Sequence, residues 1–300
     1  MNIGFIGLGN MGSGMASNLL EFCKTKDHQL IVHDVNRDVV ERFVKKGASA
    51  AENHTELCQQ VDVLFTSLPS SKQINQLAVG DNGILQQLAP GAVWFETSTN
   101  DVSEWQQLVQ QAPAEITLVD APVTGGAEGA AAGTLTMLFG IEQSVLSEYS
   151  ELLASFTSKA VRMGPSGAGY VTKLCQLHLN YLVADGIGEA LMLGAKANID
   201  LHTLQQVLHN SCAQSYVVDS YIPKVLDGSY DPSFTLGLAA KDVRLISELG
   251  RHLEVPLNLA DEVNAHYVAA EQEYGADSPH LKIVKLIEDK MDVSFNQQLR

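Results

Sequence analysis

Short apolar runs alternate with amphipathic stretches over the first half of the chain. Asn2–Ile6, Gln29–His33, Val61–Ser67, Ala92–Glu96 and Ile116–Val119 are runs of strand length, and Thr134–Phe139 and Ala160–Arg162 are two further candidates. Helical patterns fill most of the intervals: from Gly12 to about Cys23, Arg37–Lys46 closed by Gly47, Val102–Gln110 and Gln143–Phe156. Strands alternating with helices predict βαβ units and a parallel sheet with helices on both faces.

The pattern changes after Gly164-Pro165-Ser166-Gly167. No strand pattern follows. A long helical pattern covers Tyr170 to about Ala197, and others cover Leu201–Asn210, Tyr216–Leu226, Ala239–Leu253, Leu257–Tyr274 and His280–Lys290. Turn signals such as Asp227-Gly228, Asp231-Pro232 and Val255-Pro256 separate them. A domain boundary is therefore expected near Gly164, giving an α/β domain over 1–163 and an all-α domain over 164–300. Gly186, Gly188 and Gly194 interrupt the long helical pattern, each at about 1 kcal/mol relative to Ala. Two readings stay open: close backbone approach to another helix or subunit, or a kink.

Composition narrows the function classes. Hydrophobic residues make up 45% and charged residues 18%, as in a globular chain. The net charge of −16 repels a phosphate backbone, so nucleic acid is not an expected partner, while a small anion could still bind at a few local cations. No apolar run reaches the ~18 residues needed to cross a bilayer, so no membrane partner is expected. The first strand is expected to begin at Asn2, so a basic leader is not expected. Cys23, Cys58, Cys175 and Cys212 lack CxxC spacing and are expected to be reduced, mostly buried thiols of a cytoplasmic protein.

Gly7-x-Gly9-x-x-Gly12 follows the first strand and opens a helix. There Gly7 permits a tight turn, Gly9 lets backbone approach a pyrophosphate, and Gly12 allows close helix–strand packing. The helix start offers unpaired N–H groups to phosphate, so Leu8, Asn10 and Met11 join the expected contact set. Asp34 ends the second strand, 22 residues beyond Gly12, where a carboxylate can take the adenosine ribose hydroxyls. That acid favours NAD over NADP, and the nearby Arg37 weakens the preference, so NADP is not excluded. Thr66-Ser67-Leu68-Pro69 and Glu96-Thr97-Ser98-Thr99 follow the next two strands at the ligand-binding edge. Leu68, Pro69, Thr97 and Ser98 are therefore candidate cofactor contacts, with ordinary turn and cap roles as the alternative for Thr97 and Ser98.

Four segments in order resemble the 3-hydroxyisobutyrate dehydrogenase family, the β-hydroxyacid dehydrogenases of the 6-phosphogluconate dehydrogenase-like superfamily. They are Gly4-Phe-Ile-Gly-Leu-Gly-Asn-Met-Gly12, Asp120-Ala-Pro-Val-Thr-Gly-Gly126, Gly167-Ala-Gly-Tyr-Val-Thr-Lys-Leu174 and Lys241-Asp242. The resemblance implies a Rossmann-type dinucleotide-binding domain followed by an all-helical substrate and dimerisation domain, as homodimer or homotetramer. It implies hydride transfer between NAD(P) and the β-carbon of a small 3-hydroxy acid or its semialdehyde. Lys173 takes the proton-transfer role, and the Thr124-Gly125-Gly126 loop holds the substrate carboxylate.

A lysine can accept the hydroxyl proton if burial or nearby cations lower its pKa towards working pH. Successive N–H groups of a Gly-Gly turn can form an anion nest, although a plain turn is the alternative. The family pattern places amides three and four positions beyond the lysine, whereas this chain has Gln176 and Leu177. Positions 173, 176, 177 and 180 share a helix face, so Gln176 or Asn180 can supply the amide. Lys241 brings positive charge to cofactor or substrate, or pairs with Asp242. The nine histidines form no metal-binding motif, and His202 and His209 on one helix read as surface or packing residues. An imine-reductase-like activity is disfavoured by Lys173. A dinucleotide-binding sensor with little turnover is the reading from a different class.

Overall fold

Val63–Thr66 (β4) and Val93–Glu96 (β5) are buried at every position, as strands covered on both faces must be. They sit centrally in a sheet with Asn2–Ile6 (β1), Gln29–His33 (β2), Ser49–Ala50 (β3) and Thr117–Asp120 (β6), all parallel in the order β3-β2-β1-β4-β5-β6. The computed structural model describes residues 1–297, and the chain divides into two compact units, Met1–Lys173 and Leu174–Arg300.

The sheet is not wholly parallel. Val123–Thr124 (β7) and Leu135–Gly140 (β8) add an antiparallel section next to β6, and Thr157–Gly164 (β9) pairs parallel with β8. The expected all-parallel order fails here for a reason of chain length. Only residues 125–134 join β7 to β8, including the short helix Gly126–Ala132, and a parallel crossover needs roughly a dozen or more. The two-residue strands β3 and β7 carry too little pattern to be read from sequence.

Phe5, Phe65 and Phe95 stack across neighbouring strands at 6.1 and 5.1 Å, and Phe156 closes the row edge-on to Phe65. Trp94 points to the opposite sheet face, where it meets Trp105 at 5.8 Å. Burial of each such side chain contributes about 1.5–3 kcal/mol.

Ile6, Thr66, Glu96 and Asp120 are in register at the C-terminal ends of β1, β4, β5 and β6. The loops that begin at Gly7, Ser67, Thr97 and Ala121 therefore leave from one sheet edge.

The second unit is helical among its described residues. The helix Ala168–Lys196 enters it, followed by Leu201–His209, Tyr216–Leu226, Leu236–His252 and Asn258–Tyr274. Asp200, Ser215 and Thr235 cap three of these by accepting from amides of the first turn. The pattern expected as one helix over His280–Lys290 is instead a 3₁₀ turn, His280–Ile283, and a helix, Lys285–Met291. The amides of His280 and Leu281 donate to the carbonyls of Phe234 and Tyr230, which ties that segment to a loop. Gly188 and Gly194 fit close approach: a Cβ there would meet Val284 and Ile287 at 3.3–3.5 Å, and Leu204 at 2.6 Å.

Cys23 and Cys58 are buried, and burial pushes their thiols up to about 11 and about 12. Cys175 and Cys212 are exposed, which corrects the expectation of mostly buried thiols. Cys175 lies on an outward face of the long helix, and Cys212 follows the helix Leu201–His209. No described helix is long and apolar enough to cross a membrane.

Candidate active site

The glycine loop is shaped by its neighbours. Gly7 has φ +93°, and a Cβ there would lie 2.2 Å from the Ser67 carbonyl oxygen. A Cβ on Gly12 would lie 1.9 Å from the Gly7 carbonyl oxygen, so both positions exclude any side chain. Gly9 differs: a Cβ there meets nothing within 4 Å. Gly9 precedes the helix Asn10–Lys26, whose start carries Asn10 and Met11. Asp34 accepts the Leu8 N–H at 2.6 Å through one oxygen and the Asn36 N–H at 2.7 Å through the other. A carboxylate has about four acceptor positions, so Asp34 keeps capacity for two hydroxyls. Open space at Gly9, helix amides and an anchored acid fit the pyrophosphate and ribose of a dinucleotide.

The loops after β4 and β5 are tied together. The Leu68 N–H donates to Ser98 Oγ at 2.8 Å, and the Thr97 hydroxyl donates to the Thr66 carbonyl at 2.7 Å. Pro69 is exposed beside them. Ser98 in turn donates from its hydroxyl and its N–H to Glu96, a fully buried carboxyl. Glu96 also accepts from Asn100 Nδ2 and Tyr170 Oη, both at 2.5 Å, and from the Thr66 hydroxyl at 3.3 Å. Burial raises the Glu96 pKa, opposed by these donors, and burial beside Glu96 raises the Tyr170 hydroxyl well above its usual value.

Asp120, at the end of β6, receives the amides of Gly167 and Gly169 at 2.8 Å and of Tyr170 at 3.3 Å. It thereby caps the start of the helix Ala168–Lys196. Burial pushes the Asp120 carboxyl up to about 7 despite those three donors. Three positions beyond Tyr170 stands Lys173, a lysine only 9% exposed.

Thr124 ends β7, and Gly125 and Gly126 follow with φ of +130° and +66°. Both dihedrals lie in the region that glycine adopts without strain. The helix after this loop packs on the cofactor helix. A Cβ on Gly14 would lie 2.6 Å from the Ala130 backbone, and Asn18 Nδ2 donates to the Ala130 carbonyl at 2.9 Å. The glycine loop and the Thr124–Gly126 loop are thus fixed to each other within the first unit.

In the second unit, Gln176 is half-buried and Leu177 buried on the long helix. Asn180 Oδ1 accepts from Tyr221 Oη at 3.4 Å. Lys241 Nζ lies 3.0 Å from Asp242, whose other oxygen accepts from Tyr181 Oη at 2.9 Å. The alternative role foreseen for Lys241, pairing with Asp242, is present as a contact. His209 pairs with Asp219 at 2.7 Å, and no group of metal-binding side chains occurs among the described residues.

Glu96, Asn100, Asp120 and Tyr170 had no role in the sequence reading. A signal existed for two of them. An acid at the buried end of a strand needs partners, and both Glu96 and Asp120 are so placed.

Two family models match: the NAD-binding domain of 6-phosphogluconate dehydrogenase over residues 2–164, and the NAD-binding region of NADP-dependent 3-hydroxyisobutyrate dehydrogenase over 167–287. The chain is 32% identical to a probable mitochondrial 3-hydroxyisobutyrate dehydrogenase of Dictyostelium discoideum, over 88% of this chain and 84% of the relative. It is 33% identical to an NAD-dependent L-serine dehydrogenase of Pseudomonas aeruginosa, over 82% and 84%. A crystal structure of 3-hydroxyisobutyrate dehydrogenase from Salmonella typhimurium superposes with a TM-score of 0.85 at 25% identity, covering 95% of this chain and 99% of that one. Motifs, fold and relatives agree over nearly the whole length, and the chain belongs to the 3-hydroxyisobutyrate dehydrogenase family of NAD(P)-dependent hydroxyacid dehydrogenases.

Proposed function

We propose that the protein moves a hydride between the β-carbon of a small 3-hydroxy carboxylate and NAD, with Lys173 as the proton-transfer group. The observation that carries this reading is Lys173 itself. It is a nearly buried lysine, five residues past the start of a helix clamped to the sheet edge where the cofactor loops emerge. Bound nicotinamide supplies the hydride acceptor. In oxidation the Lys173 amine takes the hydroxyl proton as the C–H electron pair leaves carbon, and a carbonyl forms. The Thr124–Gly126 loop holds the carboxylate, and Gln176 or Asn180 supplies the amide contact. Lys241 is assigned to the cofactor, with its ammonium 3.0 Å from Asp242, which offsets its charge.

Two contacts bear on the choice of NAD over NADP. The Asp34 carboxyl is held at the end of β2, the ribose position, by the Leu8 and Asn36 amides. Arg37 donates to the Glu52 carbonyl at 2.9 Å, which occupies one of its five guanidinium N–H groups. The substrates named for two relatives, 3-hydroxyisobutyrate and L-serine, both carry the hydroxyl on the β-carbon of a carboxylic acid. That supports the substrate class. Exposed Leu179 and Leu193 on the long helix support a homodimer or homotetramer. Four free cysteines support a reducing, cytoplasmic setting.

The test is NAD and NADP reduction between pH 7 and 10 against a panel of 3-hydroxy acids, with Lys173→Ala in parallel. One compound should give turnover that falls by about 10²–10⁴-fold in the variant. Cofactor binding without turnover in either direction would defeat the reading in favour of a dinucleotide sensor.

A further inference from the structure

Glu96 gathers donors from three separate segments. The Ser98 amide and hydroxyl and Asn100 Nδ2 come from the loop after β5, the Thr66 hydroxyl from the end of β4, and the Tyr170 hydroxyl from the first turn of the long helix. Each of these groups can serve the carboxylate as donor. Thr66 Oγ1 accepts from Trp94 Nε1, and Tyr170 Oη accepts from Asn100 Nδ2, so both hydroxyl protons are directed at Glu96. A carboxylate out of water is tolerated only when its acceptor positions are filled in this way. The cluster is consequently rigid: moving any one segment strands a buried polar group.

Two of the segments held by Glu96 carry proposed site residues. Ser98, fixed by Glu96, accepts the Leu68 N–H and sets the two loops assigned to the cofactor. Tyr170, fixed by Glu96, lies one helical turn before Lys173, so its hydroxyl bond sets the rotation and height of that turn. The Tyr170 ring stands edge-on to Trp105 at 5.4 Å, which leaves its hydroxyl as the only polar part of the side chain to place.

We propose that Glu96 and Tyr170 are positioning residues, with the buried Glu96 carboxylate coupling the cofactor loops at Leu68 and Ser98 to the helical turn that carries Lys173. The assignment rests on the role proposed for Lys173 on one arm and on the cofactor loops on the other. The two arms therefore have separate readouts. Tyr170→Phe keeps the ring against Trp105 and removes only the hydroxyl. It is expected to lower kcat by about tenfold, from misplacement of the amine, with the Kd for NAD within about twofold of the parent. Ser98→Ala is expected to do the reverse, weakening NAD by about fivefold with a smaller change in kcat. Glu96→Gln puts an N–H₂ among donors and is expected to show both effects. Because Tyr170 acts through Glu96, adding Tyr170→Phe to Glu96→Gln should lower kcat no further.

The experiment measures kcat, KM and thermal midpoint for each variant, and NAD binding by fluorescence titration, which needs no turnover. A thermal midpoint that falls in Tyr170→Phe and Ser98→Ala, with kcat and NAD Kd unchanged, overturns the proposal and leaves Glu96 a structural group. Additive losses of kcat in the double variant overturn the coupling. If Glu96→Gln does not fold, the opposite splits of Tyr170→Phe and Ser98→Ala decide the matter. Full turnover in Lys173→Ala would defeat the lysine assignment, while a weakened NAD Kd in Ser98→Ala would still stand for the cofactor arm.

Discussion

Asp120 in the first unit and Asp231 in the second are both shielded from water, and their surroundings differ in kind. Asp120 accepts from the backbone amides of Gly167, Gly169 and Tyr170, and burial pushes its carboxyl up to about 7. Asp231 meets His280 Nε2 at 3.2 Å, Lys224 Nζ at 2.7 Å and the Ser233 hydroxyl at 2.6 Å. The hydrogen bond from His280 leads these contacts in holding its carboxyl far below the usual range. One carboxylate is held by the chain's own geometry at a helix start. The other is held by side chains, with the Lys224 ammonium as its ion-pair partner. The first arrangement fixes backbone beside a proposed reaction site, and the second staples a loop to the 3₁₀ turn at His280–Ile283.

The difference predicts unequal stability effects. Asp120→Ala leaves three amides at a buried helix start without acceptors, at about 1–3 kcal/mol for each unsatisfied group. A loss of about 3 kcal/mol or more is expected in chemical denaturation. Asp231→Ala is expected to cost about 2 kcal/mol, because Lys224 is 37% exposed and can turn to water. A larger loss at Asp231 than at Asp120 would break the comparison.

The two acids also carry opposite pH signatures. The folded Asp120 value of about 7 lies above its ordinary 3.8. Between those values the folded state keeps a proton that the unfolded chain has released, so the contribution to stability declines as pH rises from about 4 to about 7. Glu96, also raised, acts in the same direction. Asp231 is depressed, so its contribution is present above about pH 4 and is lost on further acidification, where the unfolded chain binds the proton first. Each single group sets a limiting slope of about 1.4 kcal/mol per pH unit. Asp120→Asn should flatten the limb between pH 4 and 7, and Asp231→Asn the limb below pH 4. Unfolding free energies measured across both windows would separate them, and a common limb for both variants would contradict the assignment.

Asp34 is an intermediate case, half-buried and held by two amides with acceptor capacity left over. Asp34→Ala is expected to weaken NAD about tenfold, as loss of a hydrogen bond to a charged group implies, and to narrow the gap to NADP. Titration of both cofactors checks this. An unchanged NAD Kd would return Asp34 to a purely structural part in holding Leu8 and Asn36.

Asp34 was legible in the sequence because it depends on local facts: a strand end at a set distance from a glycine turn. The strands β1, β2, β4, β5 and β6 were legible for the same reason. The roles of Glu96 and Asp120 are not legible in their motifs, because their partners arrive from far along the chain, at residues 167–170. Their adjacency follows from the register that sets Glu96 opposite Asp120, which no window along the chain reveals. The pairing of Asp231 with His280 is equally non-local, and the break of the helical pattern at Ile283 follows from it and from the loop carbonyls of Tyr230 and Phe234. Helix faces carried less than strand ends did. Gln176, Asn180 and Lys241 were placed by resemblance, and their neighbours in the second unit are Tyr221 for Asn180 and Asp242 for Lys241.

The smallest expected effect concerns the three glycines of the long helix. Gly194 and Gly188 are closed by Leu204 and by Val284 and Ile287, so an added methyl there displaces neighbours. At Gly186 a Cβ meets nothing within 4 Å of this chain. Replacing it with Ala removes conformational freedom from the unfolded state without a clash, and should stabilise by about 1 kcal/mol. In a protein of this size that is a rise of roughly 2 °C in thermal midpoint. The sign is the informative part. A fall, together with a shift towards smaller species in sedimentation, would mean that a second copy packs against the backbone at Gly186. The long helix would then serve subunit contact on that face, as the exposed Leu179 and Leu193 suggest for its neighbours. A rise with unchanged assembly would leave Gly186 a solvent-facing position whose glycine nothing in the structure explains.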